Sequence, residues 1–165
     1  MTETPIDGAD GAFARPIEQR IAEAVAQAMM ARDEAAKSFG ISIEKVGPGF
    51  ARLTMPVRPD MLNGHATTHG GITFTLADCA FAYACNSHNM LTVAHSCSIT
   101  YTAPGKAGDV LVAEAREASL IGRNGVYDVK VTNQHGDTLA LFRGNSRTIQ
   151  GHVFPPGDLD RLVPD

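Results

Sequence analysis

The stretch Ile72-Thr-Phe-Thr-Leu-Ala-Asp-Cys-Ala-Phe-Ala-Tyr-Ala-Cys85 restricts this chain more than any other. It follows the pair Gly70-Gly71 and reads as a helix from about Gly70 to Asn86. It is too short and too interrupted to span a membrane. A helix that is apolar on nearly every face is buried in a core, and no single neighbouring helix can bury it. A sheet must curl around it. Asp78 stands alone in the middle of this run. A carboxylate there costs several kcal/mol unless it is paired, hydrogen-bonded or protonated. It is therefore either a structural hub or a chemical group.

The flanking sequence supplies the sheet. Pro16 suits a helix start, and Ile17, Ile21, Ala24, Val25, Ala28 and Met29 recur at helical spacing through about Met30. A short helix over Asp33 to Phe39 ends at Gly40, a C-cap residue. Ile41 to Val46 and Phe50 to Val57 alternate around Gly47-Pro48-Gly49 and predict a hairpin. After an irregular segment over 58–69 and the central helix come four strands: Thr92 to Thr102, Asp109 to Leu120, Gly125 to Thr132 and Thr138 to Ile149. Pro104-Gly105, Gly122 with Asn124-Gly125, and His135-Gly136-Asp137 separate them. The order predicts an α+β fold of about six antiparallel strands. It forms one domain over residues 16–150, with a lead-in over 1–15 and a tail over 151–165 that runs across the surface. A curled sheet leaves edge strands, and pairing edges with a second copy removes them, so an oligomer is expected.

Composition narrows the function. The chain of 165 residues carries 18 acidic and 14 basic residues, a net charge of −4, which argues against nucleic acid and anionic membrane surfaces as partners. Cys79, Cys85 and Cys97 form an odd set without a CxxC motif. That fits reduced thiols in the cytoplasm. The N-terminus shows no basic, apolar signal peptide. There is no P-loop, no G-x-G-x-x-G after a strand and no G-x-S-x-G elbow.

The chemistry-bearing residues cluster between Asn63 and Asp78. Gly70 and Gly71 lie where the helix begins. A helix start offers unpaired N–H groups and a positive dipole end to an anion or a polarised carbonyl oxygen. The same glycines also suit a tight loop-to-helix turn. Asp78 lies eight residues beyond Gly70, roughly 12 Å along the axis. One reacting carbon cannot touch both groups of the same helix, so a site that uses both must draw them from two chains. His65 and His69 have zinc spacing, but no third ligand stands nearby. Asn63 either orients a ligand or caps a turn. Cys79 adjoins Asp78, whose charge raises a thiol pKa, so it reads as packing.

The combination Leu62-Asn63, His69-Gly70-Gly71, Leu76-Ala77-Asp78 and Phe81-Ala-Tyr-Ala-Cys-Asn86 resembles the hotdog-fold acyl-CoA thioesterases of the PaaI type, over roughly residues 17–150. Pro104-Gly105, Gly108-Asp109, Gly125-Val-Tyr-Asp128 and Ala140-Leu-Phe-Arg-Gly144 extend the likeness. The resemblance implies a long helix wrapped by a curled antiparallel sheet, a homodimer that often doubles to a homotetramer, and no metal or cofactor. It implies an acyl-CoA substrate of phenylacetyl type. Asp78 matches the catalytic carboxylate and the Gly70 amide the oxyanion donor, with Gly71 beside it. Asn63 and His69 match residues that orient the acyl carbonyl or support the loop. Ser96, with Ser98 as its neighbour, matches a hydroxyl that positions water. Lys106, Arg123, Arg143 and Arg147 are candidates for the CoA phosphates by charge and position. A hydratase or dehydratase of the same fold would pair a His with a carboxylate, and His-Gly-Gly with Leu-Ala-Asp fits hydrolysis better. A non-catalytic acyl-CoA sensor would carry a DNA-binding segment, and this chain is acidic with a lone N-terminal helix.

Overall fold

The computed structural model describes residues 16–158 and 161; the expected lead-in over 1–15 lies outside them. Helix α1 (Ile17–Met30) follows Pro16, whose carbonyl accepts from the Gln19 and Arg20 N–H groups. Helix α2 (Glu34–Phe39) is capped at one end by the Asp33 carboxylate, which accepts from the Ala36 N–H. At its other end Gly40 adopts φ 70°, a left-handed conformation that costs glycine little. The hairpin β1 (Ser42–Gly47) and β2 (Phe50–Pro56) leads through a loop to the central helix α3 (Gly70–Asn86). Four strands complete the chain: β3 (Met90–Tyr101), β4 (Val110–Ile121), β5 (Asn124–Thr132) and β6 (Thr138–His152). The expected six antiparallel strands and long central helix are all present.

The six strands form one antiparallel sheet in the order β1-β2-β4-β5-β6-β3. It is the hotdog architecture, with α3 lying in the hollow of the sheet. Leu53, Met55, Leu111, Val129, Val131 and Phe142 point inward from the strands onto Leu76, Ala80, Phe81 and Ala84. The Phe81 ring lies 5.6 Å from that of Tyr127 and 5.9 Å from that of Phe142. It fits because position 144 on β6 is glycine: a Cβ there would sit 2.8 Å from three Phe81 ring carbons.

The helix is not clad on every side, as its composition suggested. Thr73, Leu76, Ala77, Ala80, Phe81 and Tyr83 are buried, whereas Gly71, Thr75, Asp78 and Ala82 form a stripe that the sheet leaves partly open. One sheet edge, β1, is covered by α1, with Gln19 Nε2 donating to the Val46 carbonyl at 2.7 Å. The other edge, β3, is twelve residues long and pairs only with β6 among the described strands.

The tail departs from the expected surface path. Strand β6 continues to His152, paired with Met90, and Phe154 is 5% exposed against Ala24 and Val25 of α1. Asn89 holds it there, donating to the Phe154 carbonyl and accepting from its N–H, each at 3.1 Å. Asn86, at the end of α3, makes the same two-way contact with the backbone of Thr92 at 2.9 Å. Buried amides that pair with both backbone groups satisfy polar atoms that would otherwise be costly.

Candidate active site

The loop before α3 fixes where the helix starts. Asn63 organises it: Oδ1 accepts from the His65 N–H at 2.9 Å and the Thr67 N–H at 3.3 Å, while Nδ2 donates to Thr67 Oγ1 at 3.0 Å. The Thr68 N–H donates to the Gly105 carbonyl at 2.8 Å, and the His69 N–H to the Met61 carbonyl at 2.9 Å. The 102–109 loop and the turn at Met61 thus hold the backbone of Thr68 and His69. Gly105 permits the approach, since a Cβ there would sit 2.6 Å from Thr68 Oγ1. In this chain Asn63 is occupied as the turn hub of the 63–67 loop.

His69 is the N-cap of α3. Its Nδ1 accepts from the Gly71 N–H at 2.9 Å, so the neutral ring carries its proton on Nε2. The Ile72 and Thr73 N–H groups turn back to the His69 carbonyl. Among the described residues no group accepts from the Gly70 N–H. The helix therefore begins with one amide committed to a histidine cap and its neighbour open. Tyr101, at the end of β3, donates from its hydroxyl to the Gly70 carbonyl at 2.9 Å. Its ring lies over Gly70, where a Cβ would stand 3.1 Å from Tyr101 Cζ and Oη. A cavity of about 440 Å³ opens in front of this turn, lined by Asn63, Thr67, Thr68, Gly70, Thr73, Tyr101, Pro104 and Leu139 among others.

Asp78 occupies the open stripe of α3. It is half-buried, forms no ion pair among the described residues, and burial raises its pKa above the ordinary carboxylate range. Cys97 on β3 makes a long sulfur contact with it, Sγ 4.0 Å from Oδ1. Helix α3 is continuous between Gly70 and Asp78, so the separation of roughly 12 Å holds: within one chain the open amide and the carboxylate do not meet. Burial, with the charges of Asp33 and Asp78, pushes the Cys79 thiol up to about 12, which leaves it inert as a nucleophile.

Several expected residues lie elsewhere. Ser96 faces the outer side of the sheet, its Oγ accepting from Asn145 Nδ2 at 3.0 Å. The inner position beside Asp78 belongs to Cys97. A bulge between Ala94 and Ser96 causes this, because His95 is an extra residue in the β3–β6 ladder. One extra residue exchanges the inward and outward sets of a strand. Arg143 is also on the outer face, held by Asp128 through two hydrogen bonds of 2.7 and 2.8 Å that keep the Asp128 carboxyl below its usual pKa. Arg123 sits in the β4–β5 turn, its Nε donating to the Thr148 carbonyl at 2.9 Å. Lys106 is exposed, and its backbone N–H donates to Asp109 Oδ2 at 2.8 Å. His65 is exposed in the loop. Sequence reading passed over Cys97 and Tyr101. Tyr101 carries no local signal of its role, and Cys97 is concealed by the bulge.

This arrangement can be set beside known proteins. Residues 65–140 match the model of the thioesterase superfamily. Over 128 residues the chain is 48% identical to the acyl-coenzyme A thioesterase PaaI of Escherichia coli K12, a match that takes in 78% of this chain and 91% of that protein. The chain belongs to the PaaI-type thioesterases of the hotdog fold. The structure of the E. coli PaaI protein, from the phenylacetic acid degradation operon, superposes with a TM-score of 0.80 at 47% identity, covering 81% of this chain and 97% of that one. A hypothetical thioesterase protein of Streptococcus pneumoniae TIGR4 solved with coenzyme A matches with a TM-score of 0.65 at 29% identity, over 68% of this chain and 90% of that one. No helix of the described residues is long and apolar enough to cross a membrane.

Proposed function

We propose that the chain hydrolyses aryl-acyl-CoA thioesters, of phenylacetyl or hydroxyphenylacetyl type, to the free acid and CoA, in sites shared between two copies. The observation that carries the reading is the content of α3: a half-buried carboxylate without an ion-pair partner and a first-turn amide without an acceptor, roughly 12 Å apart on one rigid element. The acyl group is inferred from the E. coli relative and the operon named with its structure.

The chemistry follows from the two groups. As water or a carboxylate oxygen adds to the thioester carbon, negative charge collects on the carbonyl oxygen. The Gly70 N–H, backed by the dipole of α3, is placed to stabilise it. Asp78 either removes a proton from the attacking water or adds to the carbon itself. The C–S bond then breaks and the CoA thiolate takes up a proton. In the first course the acid leaves directly; in the second, water cleaves an aspartyl anhydride. Burial makes the Asp78 anion a stronger base than an exposed carboxylate. His69 secures the cap, Gly71 supplies the capped amide, and Asn63 holds the loop. Ser96 would have to act across the outer face or the partner. Lys106, Arg123 and Arg143 are the candidates for the CoA phosphates, with Arg143 obliged to leave Asp128.

The open edge of β3 supports a second copy. It is twelve residues without lysine or proline, and Met90, Val93 and Tyr101 are exposed along it. Long unprotected edges of this kind pair with other strands. In a register that sets Tyr101 of one β3 opposite Cys97 of its copy, antiparallel pairing carries the amide of each chain toward the carboxylate of its partner, because Tyr101 touches Gly70 and Cys97 touches Asp78. A dimer of dimers is the expected assembly, in the cytoplasm.

The test is CoA release from a panel of acyl-CoAs, read with a thiol reagent, for the parent chain and Asp78→Asn. Loss of turnover by 10²-fold or more in the variant, with fold and oligomer intact, is expected; equal rates would refute the assignment. Single turnover in oxygen-18 water tests the second course: label in Asp78 shows an anhydride opened at the aspartyl carbon, whereas direct attack by water leaves Asp78 unlabelled.

A further inference from the structure

On its sheet side Asp78 meets a thiol. Cys97 Sγ stands 4.0 Å from Oδ1, the length of a weak sulfur hydrogen bond. The β3 bulge turns Cys97 inward, and its cross-strand partner on β6 is Gly144, whose missing side chain leaves that space to the Phe81 ring. On the sheet side the carboxylate thus meets the Cys97 thiol. The Asp78 charge raises three thiols, Cys97 from β3 and Cys79 and Cys85 from α3 itself. Asp33, ahead of α2, acts on Cys79. No cation among the described residues pairs with Asp78.

We propose that Cys97 is a positioning residue for the Asp78 carboxylate, orienting one oxygen through a deliberately weak donor so that the anion stays basic. The inference rests on the proposed catalytic role of Asp78. Burial and the Asp78 charge hold the Cys97 thiol above its ordinary pKa, so at neutral pH it keeps its proton and donates. A hydroxyl in the same place would make a shorter, stronger bond to the anion. Bonding to the charged form lowers a carboxyl pKa, and a weaker base abstracts a proton more slowly. A methyl group would offer no donor and leave the oxygen unrestrained.

The test compares the pH dependence of kcat in the full chain for the parent, Cys97→Ser and Cys97→Ala. The acidic limb is expected to move down by about half to one pH unit in the serine variant, with a plateau about three- to tenfold lower. In the alanine variant the limb moves up. The midpoints thus run serine, cysteine, alanine. Coincident limbs, or a common fall in kcat with unmoved limbs, would show a merely structural role and overturn the proposal. Should the serine variant fail to fold, the Asp78 carboxyl infrared band of the alanine variant decides: its protonation midpoint is expected above that of the parent, and an equal midpoint overturns the idea. An active Asp78→Asn sinks the catalytic reading itself. An inactive Asp78→Asn with unmoved limbs sinks only the role of Cys97.

Discussion

Removing the Gly70 N–H is the sharpest probe of the site, and the backbone permits it almost without disturbance. Gly70 is the first residue of α3, the position at which proline is favoured because its missing N–H has no helical partner. The residue ahead, His69, stands at φ −59°, ψ 132°, the extended conformation that a following proline requires. Gly70→Pro therefore deletes one donor and keeps the helix. The added ring meets Tyr101, since a Cβ at position 70 lies 3.1 Å from Tyr101 Cζ and Oη. Gly70→Ala introduces the same Cβ and retains the N–H, so the ratio of the two variants isolates the amide. Loss of one oxyanion donor costs about 10²–10³ in kcat, or ~2.7–4 kcal/mol. The expected result is a kcat for Gly70→Pro about 100-fold or more below Gly70→Ala, measured by CoA release, with similar thermal midpoints. Proline and alanine variants within about threefold of each other, both folded, would refute the placement of the oxyanion on this amide.

Mixing Asp78→Asn with Gly70→Pro chains tests the shared site: random exchange makes half the dimers mixed, each with one intact site of two, so about a quarter of parental activity should return. No recovery despite subunit exchange shown by mass spectrometry would refute a site built from the Gly70 amide of one chain and the Asp78 carboxylate of the other. Asp78→Asn should also be more heat-stable than the parent at neutral pH. Burial raises the folded pKa above the unfolded one. The stability of the protonated form is thus complete below the ordinary carboxylate range and lost as pH rises through the raised value. The gap in Tm should close on acidification; a variant less stable than the parent at pH 7.5 would contradict the sign. Gly144→Ala should destabilise by about 1–3 kcal/mol, because its Cβ meets three Phe81 ring carbons at 2.8 Å. A fall in Tm of roughly 2–10 °C is expected by calorimetry, and an unchanged Tm would mean the ring moves freely.

The large elements were legible because their signals are local. Gly40, Gly70 and the hairpin turns punctuate the chain, and α3 spans the residues its apolar run suggested. The separation of Gly70 from Asp78 was legible for the same reason, since helix rise is fixed. The β3 face was not. Strand parity carried from buried Thr92 puts Ser96 inside and Cys97 outside; the extra residue at His95 reverses this. Such a bulge arises from pairing with β6, fifty residues away, and leaves no mark on β3 alone. The tail was misjudged likewise: three prolines signal an irregular path, but the contact that decides it, Asn89 with Phe154, is long-range.

The open stripe of α3 explains why Asp78 is tolerable at all. Had the sheet enclosed the helix completely, the carboxylate would sit in apolar contact on every side and would keep its proton across the neutral range. On the stripe it loses enough water to become more basic, yet keeps enough access to ionise. Thr75 and Ala82, one turn to either side, are small and leave that access clear. Gly71, further toward the helix start, completes the opening. The β3 edge flanks the same opening, because Cys97 reaches Asp78 from it. A partner strand added at that edge would therefore narrow the stripe without covering it from the sheet side. In the proposed dimer, assembly would add to the desolvation that the single chain already gives Asp78. Monomeric variants, made by placing proline at Ser98 in the middle of β3, should lose activity and also lower the acidic limb of any residual rate by the partner's share, leaving it above the ordinary carboxylate range. A monomer whose limb stays where the dimer has it would show that α3 and β3 of a single chain already set the basicity of Asp78.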